Sequence, residues 1–400
     1  MSTDPAAVAS SAPSAPSAGP EPPPGLERDR LARVALCRLA EPGDPRMAGL
    51  VAELGAVRVH DHLAGEQDVD GVLKDVASRL RGLDPVRELE QAARLGIRFV
   101  VPGDAEWPIQ LGDLDRAEPL QQRGGVPLGL WAKGPLRLDT FAESVSVVGS
   151  RSSTSYGTDI ARDLAAGIAN ADVGVVSGAA FGIDQAAHRG ALAVRGPTAA
   201  VLACGVDRAY PKAHKPLLDY IAEVGVVISE LAPGCAPMRM RFLSRNRIIA
   251  AMSKGTVVVE AAIRSGALNT ANWAERLSRP VMGVPGPVTS APSQGVHQLI
   301  RAGSAMLVTS AVEVLEVVGV AGAHLLEDPR ADTRPRDRLR EREQQVLDAV
   351  PAARPAAVDS IARTAGIGLV EVRSVLGRLQ QVGLVVSTDT GWVLGEEART

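Results

Sequence analysis

Residues 144–151 read Ser144-Val145-Ser146-Val147-Val148-Gly149-Ser150-Arg151, an apolar run broken by Gly and followed by hydroxyls and an Arg. A short Val-rich run is the signature of a strand buried on both faces. The Ser152-Ser153-Thr154-Ser155 stretch and Gly157 that follow predict a tight turn into a helix over 158–170. The same unit recurs along the chain. Strands are expected at 144–148, 173–177, 198–203, 226–229, 256–260, 281–284 and 306–308, and the helices between and after them at 158–170, 183–194, 213–224, 243–253, 269–277, 294–302 and 311–318. Strict alternation implies right-handed crossovers, and hence an α/β fold with a doubly wound, mostly parallel, Rossmann-like sheet. Ile97-Arg98-Phe99-Val100-Val101 reads as one further strand, and the Trp107-Pro108 and Leu128-Gly129-Leu130-Trp131 segments flank a loop of Asp, Arg, Gln and Gly.

The strand-to-helix junctions carry the chemistry. A parallel sheet gathers its strand ends there, and such ends hold phosphate-bearing ligands. In the first junction, Gly149 lets the backbone approach an anion, Ser150 and free amides donate, and Arg151 can clamp a phosphate through two parallel hydrogen bonds. An ordinary turn whose Arg pairs with a carboxylate is the plainer alternative. Ser177-Gly178-Ala179-Ala180-Phe181-Gly182-Ile183-Asp184 repeats the arrangement. Asp184, in the first turn of its helix, either orients Arg151 or a nearby amide or simply caps the helix. Arg245-Asn246-Arg247 is expected to open a helix, with the two arginines pointing about 200° apart. One then faces the ligand and the other the sheet or a partner. Ser265, Gly266 and Thr270 form another hydroxyl-and-amide turn, and Lys212 and Lys215 add mobile positive charge.

Several chemistries lack their residues. There is no Gly-x-Gly-x-x-Gly with its following acidic residue, which speaks against a dinucleotide cofactor, and no phosphate-loop motif for an ATPase. The six His are scattered and the three Cys (Cys37, Cys204, Cys235) are widely spaced, so no metal site is expected. Glu260 is the one carboxylate placed for catalysis, and it stands alone. These motifs therefore predict a surface that holds a phosphate chain without cutting it, with no cofactor.

Composition supports that reading. With 46% hydrophobic residues the chain can bury a sizeable core. No apolar run approaches the ~18 residues of a membrane span, no signal peptide is read at the N-terminus, and cysteine usage fits a reducing cytoplasm. The net charge of −3 hides an asymmetry. Residues 1–144 hold 16 Lys+Arg against 22 Asp+Glu, whereas residues 145–320 hold 16 against 12, so the motif-bearing segment is the basic one.

Outside it, residues 1–25 are Ala-, Ser- and Pro-rich and are expected to be disordered. Residues 26–96 show short helical periodicities, residues 321–340 look like a linker, and residues 341–395 predict three helices and a hairpin, as in a winged helix. With 8 Arg against 9 acidic residues over 336–397, this last unit has no basic footprint, and a structural or protein-contact role fits it as well as DNA reading.

The ordered set 148–151, 177–184, Gly205 to Pro211, 245–250, Val259-Glu260-Ala261, 265–271 and Val284-Pro285-Gly286 resembles the DNA-processing protein A family (DprA/Smf) over about residues 97–320. The resemblance implies an extended Rossmann domain that binds single-stranded DNA without catalysis. It also implies protection of incoming strands in natural transformation, loading of the recombinase RecA, and a homodimer. A SAM-like domain at 26–96 and a winged helix at 341–395 fit the family's usual flanks. Carried over by position, the strand pocket comprises Arg151, the 177–184 turn, Lys212 and the Arg245-Asn246-Arg247 segment. His214 and His297 stand where the family usually has Asn. The alternative from another class is a phosphoribohydrolase-type enzyme acting on nucleotides through Glu260; a third is a double-stranded DNA regulator acting through the winged helix.

Overall fold

The computed structural model describes residues 24–65, 79–320 and 335–398. These form two compact units, one up to Val320 and one from Pro335. In the first, helices α1 (Pro24–Leu39), α2 (Pro45–Leu54), α3 (Ala56–Gly65) and α4 (Pro85–Arg94) precede a nine-stranded sheet. Its strands are β1 (Ile97–Val100), β2 (Leu130–Lys133), β3 (Ser144–Val148), β4 (Gly174–Ser177), β5 (Thr198–Val201), β6 (Val226–Ser229), β7 (Gly255–Val258), β8 (Val281–Gly283) and β9 (Met306–Leu307). The crossover helices are α5 (Ser155–Asn170), α6 (Ile183–Ala193), α7 (Lys215–Val224), α8 (Arg239–Met252), α9 (Gly266–Arg276) and α10 (Gln294–Arg301), and α11 (Ala311–Val318) follows β9.

Strand order is β1-β2-β6-β5-β4-β3-β7-β8-β9. The seven strands from β6 to β9 run parallel, whereas β2 is antiparallel to both β1 and β6. The chain walks outward from β3 to β6, then returns to β3's other side with β7. The topological switch point therefore lies between β3 and β7, where a doubly wound sheet opens a crevice beyond its carboxyl ends. The central strands β3 to β8 are buried throughout, as their Val-rich runs require.

Four departures from the sequence reading are informative. Strand β2 sits in the segment expected to flank a loop; Trp131 is fully buried there against Phe99, ring centroids 4.6 Å apart. Helices α5, α8 and α9 begin three to four residues earlier than their apolar periodicity suggests. Thr154 and Ser265 act as N-caps of α5 and α9, their side-chain oxygens accepting from the amides of Gly157 and Ala267. Arg245-Asn246-Arg247 consequently lies within α8 and does not open it. Helix α1 starts at Pro24, inside the segment expected to be disordered; residues 1–23 of that segment and 321–334 of the expected linker lie outside the described residues.

The second unit contains α12 (Glu341–Asp348), α13 (Val358–Ala365), α14 (Leu369–Gln381) and the antiparallel hairpin β10 (Val385–Thr388) and β11 (Gly391–Leu394) around a core of Val346, Leu347, Ile361, Val372, Leu376 and Leu379.

Candidate functional site

Beyond the ends of β3 and β7 an open groove of about 980 Å³ runs along the switch point. Its walls come from the β3–α5 turn (Gly149, Ser150, Arg151), the first half of α8 (Arg239, Phe242, Arg245, Asn246) and the Ala262–Thr270 segment entering α9. Asp184 and Tyr210 also line it.

The backbone at the first turn is fixed from inside the sheet. Ser150 donates its amide to the Glu260 carbonyl (2.7 Å), and Ile183 donates to the Ser150 carbonyl (3.2 Å). Gly182, at φ 78, is the residue before α6; a Cβ there would lie 2.2 Å from the Ser150 carbonyl oxygen, so only glycine allows the two turns to touch. The Glu260 side chain is buried and committed to the same turn: its two oxygens accept from the Thr154 amide (2.9 Å) and hydroxyl (2.5 Å). That engagement suits a structural carboxylate.

Arg245 is the buried cation of the site. Its Nη1 donates to the Val201 carbonyl (2.7 Å), its Nε is buried without a partner, and its guanidinium lies directly on Gly178, where a Cβ would sit 1.8 Å from Nη1. Burial pushes this guanidinium down to about 10; Asp184 opposes that shift, and the positive charge of Arg151 adds to it. Burial raises the Asp184 carboxyl, which Arg245 and backbone amides of Ala180, Gly149 and Gly178 pull back down. Arg151 is exposed and stacks over the Phe242 ring at 4.9 Å, with Arg245 at 6.0 Å, and Tyr210 packs against the same ring at 5.5 Å. Aromatic faces and guanidinium planes thus share one wall. Arg151, Arg239 and Arg264 are exposed on the groove and have no ion-pair partner among the described residues.

The residues singled out from sequence divide accordingly. Gly149, Ser150, Arg151, Asp184, Arg245, Asn246, Ser265, Gly266 and Thr270 line the groove. Gly178 and Gly182 lie behind it as backbone supports. The Ser177 hydroxyl is fully buried and donates to the Val147 carbonyl (2.6 Å), so it is not offered to a ligand. Lys212 and Lys215 lie outside the groove lining, Lys215 in an exposed pair with Asp219. Arg247 points away: it is fully buried, forked onto Glu230 (2.7 and 2.6 Å), and packs under Gly43 and Gly125. His214 and His297 each share a ring nitrogen with a backbone carbonyl, of Ala179 (2.9 Å) and Gly286 (3.0 Å), so both positions brace turns. The sequence reading passed over Arg239 and Arg264; the signal was present, since each lies just ahead of the apolar periodicity of its helix. Among the described residues no group of His, Cys, Asp and Glu is arranged to hold a metal ion, and no helix is long and apolar enough to cross a membrane.

The family model for DNA recombination-mediator protein A matches residues 98–319. The putative DNA processing protein DprA of Mycobacterium tuberculosis (strain H37Rv) is 44% identical over 363 residues, covering 89% of this chain and 92% of that protein. Protein Smf of Escherichia coli K12 is 36% identical over 277 residues, covering 67% and 71%. The X-ray structure of DNA processing protein A from Streptococcus pneumoniae aligns with a TM-score of 0.60 at 30% identity, covering 73% of this chain and 98% of that one. A Rossmann-like sheet with an arginine-lined switch-point groove, a matching family model and relatives this similar along most of the chain place it in the DNA-processing protein A (DprA/Smf) family of recombination mediators.

Proposed function

We propose that the groove holds single-stranded DNA by its phosphate backbone, and that the chain acts without catalysis as a mediator in the cytoplasm, protecting strands and loading the recombinase RecA as a homodimer in transformation or recombination. The observation that carries this reading is the set of three exposed groove arginines, Arg151, Arg239 and Arg264, free of carboxylate partners and set around the under-partnered Arg245. Unpaired guanidinium groups at the mouth of a sheet suit successive phosphates, and the Phe242 and Tyr210 rings beside them suit bases turned out of a single strand. Groove-lining residues Gly149, Ser150, Asn246, Ser265, Gly266 and Thr270 supply polar walls. Asp184 opposes the effect of burial on Arg245 and so favours its charged form. The commitment of both Glu260 oxygens to Thr154 favours holding over the phosphoribohydrolase alternative. The flanking parts are read as a SAM-like helical domain at 26–96 and a winged helix at 341–395.

The test is fluorescence anisotropy with a labelled single strand and the duplex of the same sequence at two salt concentrations. The single strand binds more tightly, and Arg151→Ala weakens it by roughly tenfold for every sequence while lowering the salt slope by about one. Unchanged affinity and slope in that variant would remove the groove from the binding surface.

A further inference from the structure

We infer that the tight turn Leu120–Arg123 holds Gln121 over the groove as a nucleobase-contacting finger, so that the bound strand is read at one position as well as held by its phosphates. This rests on the groove being the strand-binding surface.

The starting observation is backbone conformation. Among the described residues six non-glycine residues have positive φ. Asp172, Arg195 and Ser278 each follow the C-cap of a helix (Ala171, Val194 and Leu277 after α5, α6 and α9), where a left-handed residue ordinarily closes the last turn. Ala179 lies in the 177–184 turn with its carbonyl bound by buried His214. The other two are consecutive, Gln121 at φ 52 and Gln122 at φ 62. Leu120 and Arg123 exchange both backbone hydrogen bonds across them, at 2.8 and 3.0 Å. This is the two-residue turn with both central residues left-handed that Asn-Gly forms with little strain. Residues other than Gly, Asn and Asp disfavour this left-handed conformation. Strain of this kind persists where a side chain is needed for something other than folding.

Position says which side chain. Gln121 is exposed and is the one residue between β1 and β2 that lines the groove; Gln122 is equally exposed and does not. The stem beneath them is fixed. Gly124 donates to the Gly43 carbonyl (3.0 Å), Arg123 Nη1 to the Pro42 carbonyl (3.5 Å), and Arg247 Nε to the Gly125 carbonyl (3.1 Å). A rigid stem with a primary amide at its tip offers two donors and an acceptor together. Phosphate oxygens accept only, whereas a base edge both donates and accepts. Adenine, with N6–H donating and N7 accepting, is the base an amide of this kind matches in a bidentate pair.

The experiment measures anisotropy of labelled oligo-dA, oligo-dT and abasic single strands against wild type, Gln121→Ala, Gln122→Gly and the double variant Gln121→Asn/Gln122→Gly, with thermal unfolding of each protein. Wild type favours oligo-dA over oligo-dT by about tenfold, within the range of one good amide–base pair. Gln121→Ala equalises the two strands while leaving the salt slope and the affinity for the abasic strand unchanged. Gln122→Gly keeps the preference, and the double variant, which retains a primary amide at position 121, melts at a higher temperature and still favours oligo-dA. Tight, salt-sensitive binding with the same base dependence in all four proteins overturns the finger and leaves the groove standing. Absence of binding to every strand, the abasic one included, overturns the groove and the finger together.

Discussion

Arg245 and Arg247 stand two residues apart on α8 and are both buried, yet the two faces of that helix treat them oppositely. On the face turned to Gly43 and Gly125, Arg247 is heavily engaged: both Nη atoms reach Glu230, Nη1 also reaches the Ser244 carbonyl (3.0 Å), and Nε reaches the Gly125 carbonyl (3.1 Å). The Gly43 amide adds a bond to the same Glu230 carboxylate at 3.4 Å. On the groove face Arg245 has one hydrogen bond, to the Val201 carbonyl, an unpartnered Nε, and Asp184 as its nearest opposing influence without a direct ion pair. One arginine spends four of its five N–H donors on the surrounding fold. The other keeps desolvated, unmet hydrogen-bonding capacity, which an arriving anion would satisfy.

The largest expected effect follows from swapping each for an apolar side chain of similar length. Arg247→Met leaves Glu230 buried without its cation and lowers unfolding free energy by about 3–5 kcal/mol, read from urea denaturation, while the folded fraction keeps its affinity for single-stranded DNA. Arg245→Met removes a charge that burial already disfavours. It leaves the Val201 carbonyl and the buried Asp184 without their cation but breaks no direct ion pair, so stability falls by less than in Arg247→Met, and strand affinity falls by roughly tenfold or more, as expected when a desolvated phosphate partner is lost. Equal destabilisation by the two substitutions would erase the distinction between the faces.

How far this was legible in the sequence can be judged from the same helix. Spacing alone separates the two side chains around the axis, but it does not say which faces the groove. That is set by Glu230, seventeen positions earlier on a different element. The alternating Val-rich runs disclosed β3 to β8 and their crossovers because each is buried on both faces and needs no partner information. Strand β2 escaped because Leu130-Trp131-Ala132-Lys133 follows Gly129 in a Gly- and Pro-rich stretch, and an antiparallel insertion between β1 and β6 leaves no periodic trace. Helix starts were placed late because the caps Thr154 and Ser265 precede the apolar pattern by a turn, which also moved Arg239 and Arg264 out of view.

A smaller effect comes from protonation of a buried ring. His188 is fully buried on α6, and Thr198, whose hydroxyl donates to the Val175 carbonyl (2.9 Å), accepts from His188 Nδ1–H (2.8 Å). Nε2 is buried without a partner, so there is no acceptor for a second proton. Burial, with lesser contributions from the charges of Arg245 and His214, holds this imidazole down at about 3, against an ordinary 6.5. The unfolded chain therefore takes up a proton on acidification that the folded chain refuses. Its contribution is fully present above about pH 6.5 and is lost as pH falls toward 3, with a slope of at most about 1.4 kcal/mol per pH unit. In urea midpoints measured from pH 7 to pH 4, His188→Asn has a shallower decline than wild type. Parallel curves would mean that the buried ring does not set the acid limb.

The weakest contact tests whether joining the helical segment depends on burial or on charge as such. Arg241 sits one turn of α8 before Arg245 and pairs with Glu41, at the end of α1, through two bonds of 2.9 and 2.6 Å. The geometry rivals that of Arg247 and Glu230, and Arg241 holds the Glu41 carboxyl below its ordinary value. The difference is solvent: the Glu41 side chain is 49% exposed and that of Glu230 is 10%. Water and salt screen the first pair and not the second, so Glu41→Gln lowers stability by about 0.2–1 kcal/mol at low ionic strength and less as salt is added. The Arg247→Met loss does not fade with salt, because it is the penalty of an unpaired buried carboxylate. Urea is the denaturant for both measurements, since guanidinium would itself screen the exposed pair. If Glu41→Gln matched Arg247→Met in size and in salt dependence, fork geometry and not burial would decide what an arginine on α8 contributes, and the contrast between Arg245 and Arg247 would need a different cause.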